Sequence, residues 1–198
     1  NWKQNTPIPQ PVAAMRVSEC VADAGAFAAD NDIRVVFSGL DADFAGDIED
    51  AFARAGYAVF SNAKNHRMDP DVPILIPPVN ADHLQVIPAQ RKARGFDTGF
   101  IVTNANCSTT AMAIGLKPLH DAFGIETIVV TTMQAVSGAG YPGMSSMDML
   151  DNVVPYIGGE EPKMESESKK VLGSLHNGAF VDANFKVSAM CNRVHVLD

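Results

Sequence analysis

Gly99-Phe-Ile-Val-Thr-Asn-Ala-Asn-Cys107-Ser-Thr-Thr-Ala-Met-Ala-Ile-Gly-Leu-Lys117 reads as a strand that runs into a helix through a short polar turn. Phe100 to Thr103 is apolar and β-branched, as in a buried strand. Asn104-Ala-Asn106 interrupts it. A helical pattern follows, with Met112, Leu116, Leu119 and Phe123 at helical spacing and Gly124 as the stop. Cys107 is thereby placed on the first turn of a helix. Free N–H groups and the dipole at a helix N-terminus favour an anion, and so favour thiolate over thiol. A thiolate there suits covalent attack on a carbonyl carbon. A small buried core residue is the other common fate of a free cysteine, and both readings stand on this stretch alone.

The same strand–turn–helix theme runs outward from it. Ile33-Arg-Val-Val-Phe37 reads as a buried strand and Ser38-Gly39-Leu40 as a turn. A helix follows over about Asp43 to Ala55, with an apolar face of Phe44, Ile48, Ala51, Phe52 and Ala55 and Gly56 at its end. Tyr57 to Phe60 is the next strand, Ser61 to Arg67 a polar loop, and Pro73 to Ile76 a short apolar strand. This order predicts parallel βαβ units with ligands at the carboxyl ends of the strands. Beyond the Cys107 helix come a strand over Glu126 to Met133 and a Gly-rich turn from Gln134 to Pro142. Residues 143–162 look loop-like, Pro162 to Leu172 helical, and Lys186 to Val196 strand-like. The N-terminal region offers only prolines and a candidate strand around Met15 to Val17. The expected fold class is α/β. The second half of a Rossmann-like nucleotide-binding domain (1–104) would precede an α+β domain with a mixed sheet (105–198).

The totals exclude several function classes. A chain of 198 residues can bury a substantial core, and 46% apolar with 19% charged residues is ordinary for a globular protein. A net charge of −8 argues against a broad nucleic-acid surface and leaves room for a local basic pocket. The cysteines, Cys20, Cys107 and Cys191, are odd in number, widely spaced and without a CxxC pair. That favours reduced thiols in the cytoplasm over a disulfide scaffold or a zinc site. Cys20 and Cys191 lack an activating context and read as structural. No apolar run approaches ~18 residues and no signal peptide is visible, so no membrane partner is expected. The five histidines show no metal spacing and read mostly as surface residues, with His195 alone in an apolar strand.

Polar clusters each carry two readings. Ser137-Gly-Ala-Gly140 could let the backbone approach a cofactor, or could simply turn the chain. Neither G-x-G-x-x-G nor a Walker loop occurs. Lys64, His66 and Arg67 could hold a phosphate or carboxylate, or form a solvated loop. Glu160 and Lys163 could face a zwitterionic ligand, or pair on a helix surface. Arg193 lies in a strand-like context, where a buried guanidinium needs an anion.

Taken together, several segments resemble the aspartate-β-semialdehyde dehydrogenase family, most closely its fungal and archaeal branch. They are Val36 to Asp43, Ala58 to Arg67, Thr103 to Thr109, Thr132 to Gly143, Asn152 to Tyr156 and Val187 to Arg193. The resemblance implies NADPH-dependent conversion of β-aspartyl phosphate to aspartate semialdehyde, on the route to lysine, threonine and methionine. It implies Cys107 as nucleophile and Gln134 as orienter of the acyl intermediate. Arg193 would hold the substrate carboxylate and Glu160 the amino group. Lys163, Arg67 and Asn106 would bind phosphate, and Ser38, Gly39, Ser61, Ser137 and Gly138 would approach NADP. Thiolate attack would expel phosphate, and hydride transfer to the thioester would give the aldehyde. No metal is implied. A homodimer or homotetramer is, formed mainly through the second domain.

Departures from the family pattern qualify this. The family's Gly-rich nucleotide turn precedes the Asn1-Trp-Lys-Gln4 segment. Its general base, a His in a Gly-His-Thr-like run, would follow Asp198, and His195 falls where the family usually has Pro. The expectation is therefore an internal segment with little turnover of its own and a tendency to self-associate. The related alternatives are N-acetyl-γ-glutamyl-phosphate reductase and malonyl-CoA reductase. The unrelated alternative is a non-catalytic dimerisation fragment.

Overall fold

The computed structural model describes residues 6–17, 19–20, 33–140 and 142–197. A short helix α1 (Gln10–Ala13) starts at the prolines. The strand expected at Met15 to Val17 does not form, and Met15 and Val17 are exposed. Residues 21–32 lie outside the described part of the chain.

The first sheet is parallel, in the order β1 (Val35–Ser38), β2 (Ala58–Ser61), β3 (Phe100–Thr103). Its register aligns Ser38 with Ser61 and Ser61 with Thr103, so three polar residues share the carboxyl edge. The helix α2 (Ala42–Arg54) connects β1 to β2. Its buried stripe is Ala45, Glu49, Phe52 and Ala53, which corrects the expected face: Phe44 is 66% exposed. The helix turns small residues inward because the sheet comes very close. A Cβ on Gly99 would lie 1.9 Å from the Ala53 carbonyl oxygen. The strand expected to be buried, β1, is half open: Phe37 is 83% exposed and stacks on Phe60 at 5.7 Å. Pro73 to Ile76 makes only a bridge, Ile74 to Thr103.

Two short helical segments follow, α3 (Pro77–Asn80) and α4 (Ile87–Arg94), joined by a 3-10 turn. The long helix α5 (Cys107–Phe123) then leaves β3, with Asn106 as N-cap and Gly124 at φ 73° as the stop. Its buried side chains are Thr109 and Ala113, while Leu119 and Phe123 of the expected face are exposed.

The second sheet is mixed, in the order β4 (Thr127–Ala135), β8 (Lys186–Val194), β5 (Val153–Pro155). β4 runs parallel to β8 and β5 antiparallel to it. The region expected to be loop-like thus contains β5 and a short helix α6 (Ser146–Met149). The helix α7 (Glu160–Val171) packs on β8, and a hairpin of β6 (Ser174–His176) and β7 (Ala179–Val181) follows it. One core cluster takes Ile74, Ile76 and Val79 from the first half and Ile128, Val171 and Phe185 from the second. The two halves of the chain therefore share buried apolar surface.

Candidate functional site

Cys107 is the first residue of α5 and is exposed. Asn106 caps the helix: its Oδ1 accepts from the backbone N–H of Ser108 at 3.0 Å and of Thr109 at 3.3 Å. The same amide donates through Nδ2 to Glu160 Oε2 at 2.7 Å. Its backbone N–H donates to Glu167 Oε2 at 2.6 Å. The residue before the thiol is thus fixed on three sides, and the exposed sulfur sits on a rigid mount.

Two clefts meet at Cys107. One, of about 670 Å³, is lined by Lys64, Arg67, Asn106, Lys163 and the turns after β1 and β2. The other, also about 670 Å³, is lined by Met112, Leu116, Ile128 and Val130, with Gln134, Gly138 and Arg193. Gln134 and Arg193 are register partners on β4 and β8, so pleating sends both to one face of the sheet. A Cβ on Gly138 would lie 2.9 Å from Arg193 Nη1, so glycine there leaves room for the guanidinium.

The cations differ in their partners. Arg67 is buried, against the alternative of a solvated loop: the chain folds back under α7, and Arg67 Nη1 meets Glu167 Oε1 at 2.9 Å. His66 is buried beside it, with Nδ1 2.8 Å from Asp69 Oδ2, while Lys64 stays exposed. Lys163 pairs with Glu160 at 3.0 Å and still lines the cleft. Burial would raise the Glu160 pKa. The hydrogen bonds from Asn106 and Lys163, with the charges of Lys163 and Arg193, outweigh it and hold the carboxyl below its ordinary value. Arg193 is buried, and its Nη1 donates to the Ala135 carbonyl at 2.8 Å. Among the described residues no carboxylate lies within salt-bridge distance of it, and its Nε has no partner.

The remaining expected residues lie apart. Ser38 and Gly39 border a smaller cavity of about 110 Å³ between β1 and α2. Ser61 is buried and its Oγ donates to Glu49 at 2.7 Å. Ser137 and Gly138 are exposed in the 3-10 turn after β4. Cys20 is exposed, contrary to a structural role, whereas Cys191 is buried and burial pushes its thiol pKa up. His66 and His83 are buried rather than on the surface, and His195 falls one residue past β8, exposed. None of the five histidines lines either cleft. Three residues of the site were not anticipated: Glu49, Glu167 and Lys170. Glu167 and Lys170 continue the spacing of Glu160 and Lys163 along α7, and that periodicity is the signal that could have found them.

An exposed, capped thiol between a cleft bearing Lys64, Arg67 and Lys163 and a more apolar one bearing Arg193, at the carboxyl edges of two sheets, defines an α/β protein of the nucleotide-binding type with a free cysteine at its junction. Two family models match: "Semialdehyde dehydrogenase, NAD binding domain" over residues 2–87 and "Semialdehyde dehydrogenase, dimerisation domain" over 116–198. The aspartate-semialdehyde dehydrogenase of Cryptococcus neoformans is 54% identical over 100% of this chain and 55% of its own length. That of Methanothermobacter thermautotrophicus is 50% identical, again over 100% of this chain and 55% of its own. A crystal structure of the Candida albicans enzyme with NADP aligns at a TM-score of 0.86 and 46% identity, over 100% of this chain and 56% of that one. The chain belongs to the semialdehyde dehydrogenase family. It spans about 55% of the length of the curated relatives it matches. Among the described residues, no helix is long and apolar enough to cross a membrane, and no His, Cys, Asp and Glu cluster could hold a metal.

Proposed function

We propose that the protein containing this chain reduces β-aspartyl phosphate to aspartate semialdehyde with NADPH, through a thioester on Cys107, in lysine, threonine and methionine biosynthesis. The observation that carries the reading is the position of the exposed thiol, shared by two clefts that each present an arginine. The sulfur attacks the acyl carbon, the carbon–oxygen bond to phosphate breaks, and phosphate leaves with the electron pair. Arg67, Lys163 and Asn106 receive it, with Lys64 at the rim. Preplaced cations neutralise the charge as it develops. On the other side Arg193 holds the substrate carboxylate as a fork, and Glu160, ionised at neutral pH, takes the amino group. Gln134, beside Arg193 on the sheet, orients the acyl carbonyl.

The residues at the carboxyl edge fit NADP. Ser38 keeps a buried Oγ without a partner, and a Cβ on Gly39 would meet nothing within 4 Å. Ser38, Gly39, Ser61, Ser137 and Gly138 would hold it, and when bound it supplies the hydride. The division of the chain at Asn104 into nucleotide-binding and catalytic parts belongs to the same reading. So does a homo-oligomer formed through the outer face of β4 and β8, where Val129, Met133 and Met190 are exposed. So does a cytoplasmic setting, suited to three free cysteines.

The test is oxidation of aspartate semialdehyde with NADP by the full-length protein. Turnover that requires inorganic phosphate supports the reading. Turnover that requires coenzyme A in place of phosphate overturns it in favour of an acyl-CoA reductase.

A further inference from the structure

We propose that Glu167 is a positioning residue, holding Arg67 and the N-terminus of the Cys107 helix in one frame so that an oxyanion at Arg67 lies in register with the thiol. The proposal rests on the function proposed above and deepens it.

Glu160, Lys163, Glu167 and Lys170 follow one another at i, i+3, i+7 and i+10, which places them on one face of α7. Lys163, paired with Glu160, lines the cleft. Glu167 reaches beneath it. Its Oε1 accepts from Arg67 Nη1 at 2.9 Å, and its Oε2 accepts from the Asn106 backbone N–H at 2.6 Å. One planar carboxylate thus joins the loop after β2 to the residue that precedes the nucleophile. Neither donor can shift without losing a charge-assisted hydrogen bond.

Lys170, one turn further, holds the main chain of the same loop. Its Nζ donates to the carbonyls of Arg67, Asp69 and Val72, each at 2.7 Å, and sits 4.7 Å from the Phe180 ring centroid. Burial pushes its pKa down to about 8, which leaves the ammonium and its three donors largely in place at neutral pH. Arg67 is therefore gripped by its side chain and by its backbone from one helix. Its Nη2 donates to the Asn62 carbonyl at 2.9 Å, and its Nε is buried without a partner. A buried ion pair adds little net stability over an apolar pair of the same shape, so what this one secures is geometry. A displacement of about 1 Å at a reacting group can cost about a hundredfold in rate, which gives that geometry its value.

The experiment uses the full-length protein and the variants Glu167→Gln, Arg67→Lys and the double variant. Phosphate-dependent oxidation of aspartate semialdehyde gives separate KM values for phosphate and aldehyde. Alkylation of Cys107 by iodoacetamide, with and without inorganic phosphate, gives a reading independent of turnover. Glu167→Gln is expected to raise the phosphate KM about tenfold or more and to leave the aldehyde KM within about twofold. It also weakens phosphate protection of Cys107, and in the Arg67→Lys background it adds less than about twofold. Equal shifts in both KM values, a full additive effect on Arg67→Lys, or unchanged phosphate protection would each overturn the proposal. If the wild type shows no phosphate-dependent turnover, the dehydrogenase reading falls and the alkylation arm decides alone. Protection that weakens in Glu167→Gln then supports the positioning role, and protection absent from the wild type or equal in both removes it. Should Glu167→Gln fail to fold, Glu167→Asp keeps the charge, shortens the reach and is read in the same two assays.

Discussion

On one side of Cys107 two cations are already paired: Arg67 with Glu167, and Lys163 with Glu160. On the other side Arg193 has a backbone carbonyl and a buried, unpartnered Nε in a wall that is largely apolar. The difference separates two uses of a positive charge. A paired cation is held in place before a ligand arrives and loses little freedom when one binds. A lone buried guanidinium still lacks an anion, so a carboxylate ligand gains more from it. In the proposed reaction the first arrangement suits a leaving phosphate that must also depart. The second suits an acid group that stays bound throughout.

The largest expected effect removes the point that the two clefts share. Cys107→Ser should lower kcat by at least ~10³-fold in the full-length protein, because the thiolate is the better nucleophile and leaving group. Stability should change by no more than about 0.5 kcal/mol, since the side chain is exposed. Stopped-flow assays beside thermal melts check both halves. Retained turnover would detach the clefts from the chemistry.

The next effect breaks the comparison itself. Arg67→Met strands the buried Glu167 carboxylate and should cost about 3–5 kcal/mol of stability. Arg193→Met strands no carboxylate and should cost about 1 kcal/mol, chiefly the bond to Ala135. Its larger effect should fall on the aldehyde KM. Equal losses in urea unfolding would mean that the two arginines are not held differently.

Thiol reactivity sharpens the same contrast at smaller scale. Cys107 is open, whereas Cys191 is fully buried with Sγ 3.5 Å from Met164 Sδ, and burial raises its pKa. Near neutral pH, iodoacetamide should label Cys107 about a hundredfold faster, as read by peptide mass spectrometry. Comparable rates would contradict the exposed placement of Cys107.

How much of this was legible depended on sequence distance. β3, the Asn106 cap, α5 and its Gly124 stop lie within one short window, and local chemistry specifies each of them. Family motifs named Gln134 and Arg193, but their shared register joins strands far apart in the chain, and no local pattern encodes that pairing. Phe44 misled because helical spacing gives the period of a face but not its rotation. The close approach at Gly99 turned Ala45, Glu49 and Ala53 inward instead. The hairpin β6–β7 escaped notice because its strands have three residues each. Its Asn177-Gly178 turn, with φ of 52° and 78°, was the available signal. Glu167 looked like one charge among many on α7. Its burial follows from Arg67, 100 residues away.

The smallest expected effect lies at Glu160, beside the helix cap. Its carboxylate accepts from Asn106 and Lys163 and feels the charge of Arg193 without contact, so it ties the helix cap to Lys163 and acts on Arg193 at longer range. Its folded pKa is lowered from 4.5, so the unfolded chain takes up the proton first as pH falls. The stabilisation is therefore complete above 4.5 and is lost as pH drops through the folded value. Glu160→Gln removes the charge and keeps the shape. Near neutral pH the wild type should be more stable than this variant by about 1 kcal/mol, because the Lys163 partner is partly exposed and screened. That margin should shrink in acid and vanish once Glu160 is protonated in both states. Urea midpoints of the two proteins across the acid range measure it directly. A margin that stays constant with pH would assign the contribution of Glu160 to its shape. The electrostatic link between the two clefts would then be lost.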